Sequence, residues 1–292
     1  MKNVICFYLV TFFMCANSYA QRSVECAYAD SAPSVDGMEN DPAWSSASVF
    51  ITHDPIADID INFQTVYSGD RIYFLIRYPD NDESRQHKNW HWDEEKDMYI
   101  FGPEREDTFV IKWNMGSVPV DLDVYGDDEY SADIWYWKSV RTDPAGYADD
   151  KNQIYSRTML EKSNSIKTKS GSEMFLLRRG DSGTSAYTMD IKDSYAGDVL
   201  PSVIVGRPDG SRADIAASGQ WKNGEWVIEF SRKLITGYPD DIQLDISGNY
   251  QFGLSRYEIA GRDKDDSIDE PFFGSGNIGE TFILTFFRKT DL

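Results

Sequence analysis

Trp135-Tyr136-Trp137, followed at once by Lys138 and Arg141, constrains this chain more than any other stretch. Three large aromatic residues in succession read as a β-strand, whose neighbouring side chains point to opposite faces. Trp135 and Trp137 then share one face and Tyr136 takes the other. One face belongs to a core and the other edges a cavity or groove; alternatively, both Trp residues are simply core anchors.

The same period of two recurs elsewhere. Ile61, Phe63, Thr65 and Tyr67 alternate before Ser68-Gly69-Asp70, and Ile72, Phe74, Ile76 and Tyr78 alternate after it, which predicts a hairpin over Asp60–Tyr78. A second hairpin is predicted from Ile215–Trp221 to Glu225–Ser231, where Asn223-Gly224 supplies the positive φ of a tight turn. Further strands are expected at Thr108–Trp113, Asp133–Lys138, Tyr250–Ile259 and Glu280–Arg288, and amphipathic helix patterns are nearly absent. Short strands separated by turn residues indicate an all-β fold, an antiparallel β-sandwich with long loop insertions. Residues from Asn152 to Asp193, rich in Ser, Lys, Thr and Gly, read as a long excursion ordered in part by Met174-Phe175-Leu176-Leu177. Pro42 suits a short helical turn from which Trp44 drops into the sandwich core.

Residues 1–20 have the form of a secretory signal: Lys2, an apolar centre from Val4 to Cys15, and Ser18-Tyr19-Ala20 before Gln21. Cys15 follows Phe-Phe-Met rather than small residues, which favours plain cleavage over lipidation. Residues 21–292 are then expected to be one domain, periplasmic or secreted, with no stretch apolar for long enough to insert in a membrane. Cys26 stands alone in that span, so no intramolecular disulfide is available, and the absence of Cys-x-x-Cys-His excludes covalent haem attachment. Cys26 is either buried or open to cross-linking with a partner.

The formal net charge is −20, spread along the chain. Such a surface repels nucleic acid and anionic lipid, and it suits solubility, a basic redox partner or calcium. Asp121, Asp123, Asp127 and Asp128 form one acid-rich stretch, and Asp263, Asp265, Asp266 and Asp269 another. Both offer hard oxygens to calcium, yet neither has the glycine and closing Glu of an EF-hand; otherwise they are solvated loops. Gly-x-Ser-x-Gly, a phosphate loop and His-Glu-x-x-His are all missing, so the expectation is a protein that is not an enzyme.

Asp133 to Asp150 reads Asp-Ile-Trp-Tyr-Trp-Lys-Ser-Val-Arg-Thr-Asp-Pro-Ala-Gly-Tyr-Ala-Asp-Asp. It resembles the signature of the haem-binding domain family named after the ethylbenzene dehydrogenase haem subunit. His87-Lys88-Asn89-Trp90-His91-Trp92-Asp93, Gly102-Pro103-Glu104-Arg105-Glu106-Asp107, Phe109-Val110-Ile111-Lys112-Trp113 and Ser211-Arg212-Ala213-Asp214-Ile215 agree with it. Val35-Asp36-Gly37 and Asp41-Pro42-Ala43-Trp44 are similar to the opening of family 9 carbohydrate-binding modules. The resemblance implies a DOMON-like sandwich that holds a non-covalent haem b and passes electrons to a redox partner protein or oxidoreductase complex. It implies a pocket drawn from Trp113, Trp135, Trp137, Lys138, Arg141, His87 and His91. It also implies a Met iron ligand shortly before the Trp-x-Trp-Lys strand and a His or Lys ligand near the C-terminal strands. Met115 lies in the first interval, where it is otherwise a strand-end residue; Lys264 is the candidate nitrogen of the second, which has no His.

His87 and His91, four apart, would offer two metal nitrogens on a helix, whereas in a loop they line a groove. Two rival readings remain. One is a carbohydrate-binding module stacking sugars on Trp90, Trp92, Trp135 and Trp137; the other is an interaction domain without a ligand.

Overall fold

Period-two patterning places the apolar side chains on strands, and the computed structural model, which describes residues 21–54, 57–257 and 278–287, has eighteen of them. They begin with β1 (Arg22–Tyr28), β2 (Phe50–Asp54), β3 (Ile59–Ser68), β4 (Arg71–Pro79), β5 (Trp90–Asp93) and β6 (Met98–Phe101). β7 (Thr108–Asn114), β8 (Tyr130–Lys138), β9 (Asp149–Ser156), β10 (Asn164–Lys167), β11 (Glu173–Gly180) and β12 (Tyr187–Met189) follow. The last are β13 (Val199–Leu200), β14 (Val203–Val205), β15 (Ala216–Trp221), β16 (Glu225–Lys233), β17 (Tyr250–Tyr257) and β18 (Thr281–Phe286). No α-helix occurs among the described residues.

Two layers result. One runs β10-β11-β9-β8-β7-β17-β18-β1 and the other β1-β3-β4-β16-β15, with β2 on β3. β1 belongs to both, because Arg22 to Cys26 pair parallel with β18 while Ala27 and Tyr28 pair parallel with β3. The facing sides share one core, with Trp113, Trp135, Trp137 and Phe252 from the first layer and Phe63, Phe74, Trp226 and Phe230 from the second. Phe74 lies edge-on to Trp113 at 5.8 Å and to Trp135 at 6.0 Å. Burying such rings stabilises by about 1.5–3 kcal/mol each.

The outer face of the first layer carries a second core. Val110, Ala132, Ile134 and Tyr155 meet Leu122 and Val124 there, and Tyr136 packs against them. The three aromatic residues of β8 therefore divide as alternation requires, with both Trp rings inward.

Both predicted hairpins form. In the β15–β16 turn Asn223 has φ 57° and Gly224 φ 82°. The segment after Asn152 differs from the expected excursion: β9 continues to Ser156, and β10 and β11 extend the first layer at its edge. Ile166, Met174 and Leu176 enter the outer core, and the polar residues around them conceal this alternation in the sequence. Trp44 also sits elsewhere than expected, since it packs with Val66, Tyr73 and Leu75 on the outer face of the second layer. Glu229 fixes it there, accepting from Trp44 Nε1 at 3.0 Å and from the backbone of Asp36 and Gly37 at 2.9 and 3.0 Å. Cys26 is buried in the central core, and burial pushes its thiol well above the usual range.

Gly219 on β15 lies against Trp137; a Cβ there would approach the ring to 2.4 Å. Gly219 N–H and Trp137 Nε1–H both donate to Asp143 Oδ1, at 2.7 and 2.8 Å. Gly219→Ala should cost about 1–3 kcal/mol through overpacking. An unchanged urea midpoint in that variant would refute this packing account.

Burial pushes the Glu229 carboxyl up to about 7, and burial with the neighbouring Asp80 charge pushes Asp107 up to about 8. A carboxyl raised on folding gives its full stabilisation below its unfolded value of about 4 and loses it as pH rises through the folded value. The urea midpoint should therefore carry a component that falls between about pH 4 and pH 8, and Glu229→Gln should remove part of that fall. An identical pH dependence in the variant would exclude Glu229 as a contributor.

Candidate functional site

Lys138 ends β8 on the face that carries Tyr136, and Asp149 and Lys151 stand on the same face of β9. Lys138 Nζ is fully buried and donates to Asp149 Oδ2 at 2.6 Å. Lys151 Nζ lies 3.3 Å from that oxygen, and Arg212 Nε, from the 3₁₀ turn Ser211–Ala213, donates to Asp149 Oδ1 at 2.8 Å. Arg141 follows β8 and pairs through Nε with Glu106 Oε1. Glu106 Oε2 also accepts the backbone N–H groups of Val140 and Arg141, at 2.7 and 3.0 Å.

Two tyrosines cover these groups. The Tyr187 ring lies 5.1 Å from Lys138 Nζ and 5.3 Å from the Arg141 guanidinium, while the Tyr136 ring takes Lys138 at 4.5 Å and Lys151 at 5.4 Å. Arg141, Lys138, Lys151 and Arg212 thus meet the carboxylates of Asp149 and Glu106 in a chain whose overall charge is −20. Burial pushes Lys138 and Lys151 down to about 8, although Asp149 pulls the other way. Burial pushes the Asp149 carboxyl up, but the surrounding cations prevail and hold it well below the carboxylate range.

His87 borders the cluster. Its Nδ1 lies 3.3 Å from Glu106 Oε1 without a hydrogen bond. Burial first, and then the Arg141 charge, push the imidazole down to about 2. The contact is therefore one between a neutral ring and a carboxylate. A cleft of ≈ 280 Å³ lies between residues 82–86 and Glu104–Arg105, the segments that flank His87 and Glu106 in the chain. Cationic donors in excess under aromatic cover suit a carboxylate or phosphate group, which takes charge-assisted hydrogen bonds from Lys and Arg.

The residues expected from the sequence are distributed over several places. Lys138, Arg141 and His87 come together in this cluster. Trp113, Trp135 and Trp137 lie instead in the central core, on the other face of the sheet. That corrects the sugar-binding reading for Trp135 and Trp137, which present no surface on which a sugar could stack. Trp90 and Trp92 belong to a separate small sheet, β13-β5-β6, and are half-buried. Trp90 stacks on Phe101 at 4.2 Å, and Trp92 lies edge-on to Tyr99 at 5.0 Å and Tyr195 at 5.2 Å.

His91 is on β5 with Nε2 2.6 Å from Glu104 Oε1. No helix links it to His87, and the two rings turn to different carboxylates, so the metal pair that a helix would have made does not form. Met115 follows β7, half-buried, and its sulfur accepts from Asn152 Nδ2 at 3.5 Å. Asn152 shares a face of β9 with Asp150, so this sulfur and Lys138 are on opposite sides of the sheet. Lys264 and the acidic stretch around it lie outside the described residues. In the other acidic stretch, Asp123 accepts from Lys169 Nζ, Asp127 from Thr168 Oγ1, and Asp128 from the backbone of Asp121.

Glu106, Asp149, Lys151, Tyr187 and Arg212 were not singled out as site residues by sequence reasoning. The usable signal was Lys138 beside Tyr136 on one face of β8, opposite the Asp149-Asp150 pair of β9. Asp149→Asn would leave Lys138, Lys151 and Arg212 around a neutral amide. Losing a buried ionic partner costs about 3–5 kcal/mol, so this variant should melt well below Lys138→Met, which leaves Asp149 two cations. Equal losses in the two variants would argue against a surplus of positive charge.

The family described as Ethylbenzene dehydrogenase matches residues 42–267. No curated protein matches the chain. With most of its length covered by that match, and with the β-sandwich that carries the Trp-Tyr-Trp-Lys strand, the chain belongs to the ethylbenzene dehydrogenase family.

Proposed function

We propose that this protein is a non-catalytic, extracytoplasmic electron-transfer domain that holds the carboxylates of an anionic cofactor, haem b, in the cluster around Lys138, and that works with a redox partner or an oxidoreductase complex. The observation that carries this reading is the excess of Lys138, which is fully buried, and of the part-buried Arg141, Lys151 and Arg212 over the buried carboxylates of Asp149 and Glu106. Family membership and the secretory form of residues 1–20 support it.

The described donors fit one part of a haem and leave another unmatched. Propionates call for cations, and Lys138, Lys151, Arg141 and Arg212 supply them; Tyr136 and Tyr187 exclude water from the charges. The expected iron ligand Met115 is on the opposite side of the sheet from these cations. His87, kept neutral, is the nitrogen donor that borders them. A bound haem would supply one-electron chemistry, while the chain contributes binding, orientation and an acidic surface for a basic partner.

Hemin titration of the mature chain tests this reading. A saturable Soret band is expected, weakened in Lys138→Met and in Arg141→Gln and retained in Met115→Ala. The absence of a Soret shift at one equivalent would sink the haem reading. Loss of the band in Met115→Ala with retention in Lys138→Met would move the cofactor to the other face.

A further inference from the structure

Asp133 and Asp150 project from β8 and β9 into the space between the layers, on the face opposite to Asp149. Asp241, in the loop that follows β16, reaches the same point. Asp133 and Asp150 are fully buried and Asp241 nearly so. The three carboxylates offer oxygens that all lie within 4.8 Å of one another.

Arg232, also fully buried, crosses from the second layer to meet them. Its Nη1 donates to Asp133 Oδ2 at 2.5 Å and lies 3.9 Å from Asp150 Oδ2, beneath the Trp135 ring. Ile242 N–H also donates to Asp133 Oδ2 at 2.9 Å, and Ser211 Oγ–H to Asp241 Oδ1 at 3.2 Å. Asp133 Oδ1, Asp241 Oδ2 and both oxygens of Asp150 are left without a well-placed donor, and at hydrogen-bond range Asp150 meets only the carboxyl groups of Asp181 and Asp214. Asp181 and Asp214, close by, have unpartnered oxygens as well.

Carboxylates removed from water with too few donors are strongly destabilising, and here Asp133 and Asp241 each have one unpartnered oxygen and Asp150 two, all facing one guanidinium. Shared protons or a bound cation would each resolve the conflict. A divalent ion makes Asp133, Asp150, Asp241 and Arg232 neutral in sum, and burial pushes the adjoining carboxyls of Asp181 and Asp214 up towards their neutral acid forms. Calcium takes oxygen ligands at about 2.3–2.6 Å, so oxygens around one ion spread to about 5 Å, whereas magnesium at about 2.0–2.1 Å needs a tighter octahedron and keeps its waters. The oxygens, within 4.8 Å of one another, are close enough to share one ion, and their burial favours calcium over magnesium, which keeps its waters. Zinc sites are built mainly on His nitrogen and Cys sulfur, and neither is in this group of residues.

We propose that Asp133, Asp150 and Asp241 bind one calcium ion between the two layers, next to Arg232. The ion ties β8 and β9 to the loop after β16. This site is separate from the acidic loops that the sequence suggested for calcium, and it does not depend on the haem reading.

The test uses the mature chain after treatment with a chelator. Titration with Ca²⁺ by calorimetry, and with Tb³⁺ by emission excited through tryptophan, should each show one equivalent bound. Ca²⁺ should displace Tb³⁺ and raise the melting temperature. Asp150→Asn and Asp241→Asn should weaken binding by at least about 100-fold, the upper end of what even an outer-shell partner is worth; Asp128→Asn, in an exposed acidic loop, should bind like the parent. Asp241→Asn, altered only in a loop, supplies the comparison if Asp150→Asn does not fold. No Ca²⁺ or Tb³⁺ binding by the parent chain would overturn the proposal in favour of shared protons. Binding that survives in Asp241→Asn and fails in Asp128→Asn would overturn it in favour of the surface loop.

Discussion

Asp149 and Asp150 are neighbours on β9 that point to opposite faces of one sheet, and both are buried. Much of the molecule is arranged around that pair. Asp149 gathers Lys138, Lys151 and Arg212 on the outer face, while Asp150 sits between the layers near Arg232, Asp133 and Asp241. A slip of one residue along β9 would exchange the two faces and bring each carboxylate among the wrong partners. Charge burial of this kind is a weak source of net stability, but mispairing it is expensive, so it singles out one register.

The partners come from distant parts of the chain. Arg232 and Asp133 are 99 residues apart, and Arg212 and Asp149 are 63 apart. Arg232 is the more consequential, because its guanidinium leaves the second layer and ends against the Trp135 ring of the first. The aromatic core and the ionic cluster thus adjoin in the same interlayer space. Trp135 contributes to both, giving Phe74 its edge contact and Arg232 its ring face.

Alternation made most of the architecture legible. The β3–β4 and β15–β16 hairpins, the separation of Tyr136 from Trp135 and Trp137, and the strands at β7, β8, β17 and β18 follow from period-two patterning and turn residues alone. Alternation does not say which face meets a second layer, so the groove role given to Trp135 and Trp137 was open until their core contacts were known. β10 and β11 escaped because only Ile166, Met174 and Leu176 mark their buried side within polar sequence. Lys138 and Arg141 were recognisable as site residues, yet their counter-charges were not, since nothing local pairs Lys138 with Asp149 or Arg141 with Glu106. The interlayer carboxylates were harder still, because Asp133 and Asp150 flank a familiar motif while Asp241 and Arg232 carry no motif at all.

β1 joins the two layers by pairing parallel with β18 and with β3. Val24 sits opposite Leu284, so the seam that closes the sandwich needs segments from both extremes of the described chain. Contacts of such long range form slowly. During synthesis from the N-terminus, the first strand has its β3 neighbour early but waits for the last before the first layer can be completed. Cys26 lies opposite Phe286 in that seam, so its burial in the core depends on the docking of the last strand.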